Sequence, residues 1–64
     1  MDDDTRDYVT LMATATPTRH IVAHMVYHKD DDGYVIRKCS DPLSTRAALA
    51  LAESWAAALH VEIR

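Results

Sequence analysis

The segment His20-Ile21-Val22-Ala23-His24-Met25-Val26-Tyr27-His28 constrains this chain more than any other, because three histidines recur in it every four residues. Four is close to one helical turn and is also a whole multiple of the strand period. As a helix, the segment would hold neighbouring histidines about 6 Å apart on one face, a workable metal pair. As a strand, it would keep them on one face but about 13 Å apart, too far for two of them to share an ion. Ile21, Val22 and Val26 are β-branched, Tyr27 favours strands, Pro17 stands just before the segment, and Lys29 to Gly33 form a turn cluster just after it. These local signals agree on a strand.

The flanking residues extend this pattern. From residue 8 to 16, Val9, Leu11, Ala13 and Ala15 alternate with Tyr8, Thr10, Met12, Thr14 and Thr16, the period-two signature of a half-buried strand. Thr16-Pro17-Thr18-Arg19 then has turn chemistry, with proline where a fixed φ is useful. Asp30-Asp31-Asp32-Gly33 suits a hairpin loop in which Gly33 takes positive φ, and Tyr34 to Cys39 make a third strand. Ser44 is the expected N-cap of a helix over 45–59, in which seven of fifteen residues are alanine, the best helix former. Ala48, Leu51, Ala52, Trp55, Ala56 and Leu59 form its apolar stripe, with Leu49 at the margin. His60 to Arg64 alternate again and make a short last strand.

The expected fold is therefore α+β, in the order β-β-β-α-β. It is a four-stranded mixed sheet of order 3-2-1-4 with one helix packed on one face. Residues 1–7 are an acidic, mobile N-terminus, and residues 8–64 form a single domain. Packing the richer parity of each strand inward puts Val9, Leu11, Ala13 and Ala15 in the core with Ile21, Ala23, Met25 and Tyr27. The other sheet face then shows Tyr8, Thr10, Met12 and Thr14, together with His20, Val22, His24, Val26 and His28. Either Val35 or the pair Tyr34 and Ile36 joins them. With Met12, Val22 and Val26 among polar neighbours, that face is a candidate contact surface, for a second copy or for another protein.

Charge narrows the partners. Residues 1–32 hold seven acids against three bases, and residues 33–64 hold three acids against four bases, so a net −4 and +1 give the overall −3. Six of the ten acids fall in two runs, Asp2-Asp3-Asp4 and Asp30-Asp31-Asp32. The chain lacks a basic stripe for phosphates, which disfavours direct nucleic-acid binding through Arg37, Lys38 and Arg46. Acidic loops favour a protein partner with a basic surface. No uncharged run approaches the ~20 residues of a spanning helix, and Cys39 is the sole cysteine, so a cytoplasmic protein without an internal disulfide is expected.

Catalysis is not expected. Cys39 with a histidine would need an orienting group, an oxyanion hole and a pocket, and the chain has one glycine with which to shape loops. Cys39 is taken instead as a half-buried, inert thiol. The aspartate run lacks the alternate spacing and distant glutamate of a calcium loop. No cofactor or metal is expected, although a His-based metal protein is the alternative if the histidine segment is helical or a partner chain supplies ligands to each histidine.

Lys29-Asp30-Asp31-Asp32-Gly33-Tyr34-Val35 and Ser44-Thr45-Arg46-Ala47-Ala48-Leu49-Ala50 resemble two segments of the HicB antitoxin family. These are its acidic turn followed by Gly-Tyr-Val and its capped helix start, with Arg46 and Ala47 where that family carries acids. The resemblance spans residues 18–64 and implies a partial ribonuclease-H-like β-β-β-α-β unit that neutralises a toxin. By class, small phage-encoded CRISPR inhibitors share the size and the acidic surface. The expected function is a non-catalytic interaction module, a small inhibitor of a basic nucleic-acid-handling partner. Asp30, Asp31 and Asp32 would make the contact first, and Asp2, Asp3 and Asp4 second. A homo-oligomerising structural module is the alternative that uses the open sheet face.

Overall fold

The computed structural model describes residues 7–64, apart from the side chain of Asp31. The elements run β1 (Tyr8–Ala13), β2 (Arg19–His28), a 3-10 turn (Lys29–Asp31), β3 (Gly33–Cys39), β4 (Leu43–Ser44), α1 (Thr45–Leu59) and β5 (Glu62–Ile63). The histidine segment is extended, as its β-branched content predicts. The architecture is α+β with one helix and a mixed sheet.

The sheet has five strands rather than four, in the order β3-β2-β1-β5, with β4 joined to β2 beside β3. The added strand answers a hydrogen-bonding need. β2 is ten residues long, but β3 covers it only from Ala23 to His28. Where β3 ends, the Ser40 amide donates to the Val22 carbonyl at 2.9 Å, and the Val22 amide donates to Ser40 Oγ, also at 2.9 Å. Leu43 and Ser44 then pair with His20 and Arg19, so the same edge of β2 is covered down to its start. β1 is antiparallel to β2, and the short β5 is parallel to β1.

Turn chemistry accounts for the joints. Arg19 closes the Pro17 turn by donating to the Thr16 carbonyl at 3.0 Å. At the β2–β3 tip the left-handed residue is Asp32 (φ 50°, ψ 45°), and Gly33 has no positive φ, which corrects the expectation for that glycine. Aspartate tolerates this region, and the Asp32 carboxylate accepts a 2.8 Å hydrogen bond from the Tyr27 hydroxyl that holds it there. The helix begins as expected, with Ser44 Oγ accepting from the Ala47 amide at 3.3 Å. It ends in a left-handed His60, and Val61 donates back to the Ala56 carbonyl at 3.0 Å. His60 is therefore a helix cap, and the last strand is only Glu62–Ile63 rather than the whole of 60–64.

The core lies between α1 and the sheet and is built from small side chains. Val9, Val22, Ala48 and Ala52 are fully buried and Ala56 nearly so, while Leu11, Leu43, Leu51, Trp55 and Val61 pack around them. The alanines fall at every fourth position, so one stripe of methyl groups lies along the sheet. Leu59, placed in that stripe by its spacing, is 43% exposed because it occupies the last helical turn.

Strand β1 is phased as its alternation predicts but ends at Ala13 rather than residue 16, leaving Ala13 and Ala15, expected in the core, exposed, and β2 is phased the opposite way. Val9 lies opposite His24, Leu11 opposite Val22 and Ala13 opposite His20. Directly paired residues share a face, so the histidine parity of β2 points toward the helix. Ile21, Met25 and Tyr27, expected in the core, point to the other side, as does Ala23, which is buried at the centre of the sheet.

Candidate interaction surface

The helix covers one side of the sheet. The other side is built by the parity Tyr8, Thr10 and Met12 on β1, by Arg19, Ile21, Ala23, Met25 and Tyr27 on β2, and by Tyr34 and Ile36 on β3. Register joins them laterally: Thr10 faces Ala23, Met12 faces Ile21, Tyr8 faces Met25, Met25 faces Ile36, and Tyr27 faces Tyr34. Aromatic contacts tie three of these strands together. The Tyr8 and Tyr34 rings meet edge-on at 5.0 Å, and Tyr27 and Tyr34 at 5.5 Å. The Arg64 guanidinium lies 4.6 Å from the Tyr8 ring centre and bonds to Glu62, which raises its already high pKa.

This surface is apolar and open. Met12 is 39% exposed and Ile36 is 49% exposed, with Ile21, Met25, Tyr8, Tyr27 and Tyr34 half-buried between them. The molecule is a slab of 38 × 23 × 15 Å whose long axis gives such a face room.

Of the residues expected on the open face, Tyr8, Thr10 and Met12 of β1 are there, with Tyr34 and Ile36 rather than Val35 from β3, but the five expected from β2 are not. Val22 is fully buried against the helix, and His24 is 6% exposed with its Nε2 3.3 Å from Asp7 Oδ2. His20 also faces the helix, with its Nδ1 3.3 Å from Thr45 Oγ1. Val26 pairs with Val35 on the helix side, half-buried, and His28 is exposed where β2 ends. The three histidines thus have separate surroundings, and among the described residues no three His, Cys, Asp or Glu side chains gather at one point. Asp7, assigned by its charge to a mobile terminus, is fastened to His24.

At the acidic tip a local bond holds Asp32. Asp30 is exposed, Asp32 is held by Tyr27, and Asp31 belongs to the same 3-10 turn. Asp2, Asp3 and Asp4 lie outside the described residues. Cys39 is exposed rather than half-buried. Trp55 packs against the core as its helical phase predicts, and Lys38 Nζ sits 4.6 Å from its ring centre.

The charges are sorted along the strands. The end carrying the β2–β3 tip holds Asp7, Asp30, Asp31 and Asp32 against Lys29, a net −3. Arg37 and Lys38 lie at mid-strand, beside Met25 and His24, and the opposite end holds Arg19 and Arg46 against Asp41, a net +1. Glu62 and Arg64 neutralise each other between the two ends.

Searches for a matching family model, a matching curated protein and a matching solved structure each return none. No helix among the described residues is long and apolar enough to cross a membrane.

The sheet-face residues that strand alternation alone misassigns are Ile21, Met25 and Tyr27. One signal in the sequence bears on them. A helix whose inward stripe is alanine leaves shallow space, which suits valine better than methionine or tyrosine.

Proposed function

We propose that this chain is a non-catalytic protein–protein interaction module whose contact surface is the uncovered sheet face. One observation carries the reading. Ile36, Met25, Tyr8, Tyr27 and Tyr34 form a continuous apolar patch with aromatic residues prominent in it, the composition enriched at protein interfaces. The tyrosines offer large contact area at low entropic cost, and each carries a hydroxyl for a polar rim. The test is affinity capture from host extract with the native chain and with an Ile36→Lys variant. A defined partner that is retained by the first and lost by the second, with unchanged circular dichroism, supports the reading. A partner held equally well by both refutes it.

A second reading is favoured by the Asp32 carboxylate held at the acidic tip. In it the chain is a small inhibitor of a basic, nucleic-acid-handling protein, antitoxin-like or of the phage anti-CRISPR kind, and Asp30, Asp31 and Asp32 stand in for phosphates. The Tyr27–Asp32 hydrogen bond supports it, since a fixed carboxylate loses less entropy on binding. So does the resemblance of Asp30 to Val35 to the HicB turn. Here Asp30→Lys weakens partner binding, and the complex loosens steeply with salt. Unchanged affinity on both counts removes this reading.

A further inference from the structure

We draw no further inference here: the strongest candidate, the uncovered apolar sheet face around Met25, Tyr8, Tyr34 and Ile36, belongs to the interaction surface already described, and nothing in the structure shows what covers it.

Discussion

Replacing Val22 with alanine tests the phase of β2, on which the position of the exposed face depends. Val22 is completely buried between β1 and α1 and is one of the two largest fully buried side chains. Val22→Ala removes two carbons, worth about 1.6 kcal/mol in transfer free energy at ~0.8 kcal/mol each. The cavity left between the Ala48–Ala56 stripe and the sheet adds to this, giving about 2–3 kcal/mol in total. A 64-residue chain has only about 3–10 kcal/mol of stability, so the loss is a large fraction. At ~4–8 °C per kcal/mol for a domain this small, Tm should fall by roughly 10–20 °C. The control is Met25→Ala on the same strand. It deletes a larger side chain from the half-buried face and should cost about 1 kcal/mol or less. Thermal and urea unfolding followed by circular dichroism compare the two. If Met25→Ala costs as much as Val22→Ala, β2 is phased with methionine and tyrosine inward, and the open-face argument fails.

Four other perturbations have calculable outcomes. Ser44→Ala removes the acceptor for the Ala47 amide and should cost about 1 kcal/mol in urea unfolding, whereas Ser44→Asp should restore it. Ala52→Leu forces extra carbons into a site with no exposed surface and should destabilise by about 1–3 kcal/mol, where Ala50→Leu on the exposed side of the helix should not. Asp7→Ala leaves the buried His24 ring without its carboxylate and should cost about 1–3 kcal/mol, while Asp7→Asn, which keeps an acceptor, should recover part of it. Tyr27→Phe deletes the hydroxyl that fixes Asp32. It should lower stability by about 0.5–1.5 kcal/mol and speed hydrogen exchange of the Asp32 amide, which donates to the Lys29 carbonyl.

The elements were legible where local chemistry and tertiary packing ask for the same thing. Ser44 followed by an alanine-rich run places α1 at Thr45–Leu59, and the β-branched content of residues 20–28 makes that stretch a strand. Strand β4 was not legible, because Leu43 and Ser44 carry no strand signal and pair only because β2 outlasts β3. The left-handed residue of the tip was misplaced for a similar reason: the Tyr27–Asp32 bond spans five residues, and turn propensity does not include it. The open face was half legible. Threonine alternation phased β1 correctly, but both parities of β2 are plausible cores. One offers Val22 and Val26 among histidines, and the other Ile21, Ala23, Met25 and Tyr27.

What decides between those parities is the helix. Ala48, Ala52 and Ala56 present one methyl group each, so α1 approaches the sheet closely and fills its inner face with very little volume. Val9 and Val22 are fully buried beneath it with Leu11 and Leu43 packed around them, and a histidine is tolerated once Asp7 has met its ring nitrogen. The larger apolar residues of β2 and β3 cannot share that layer and are turned outward, where Tyr8, Tyr27 and Tyr34 pack edge-on against one another instead of against the helix. A thin core and a sticky outer face are thus two consequences of one choice of side-chain size. Enlarging the alanine stripe would fill the core only by pushing the helix off the sheet. Polarising the outer face would leave the core intact and remove the surface with which this chain can recognise a partner.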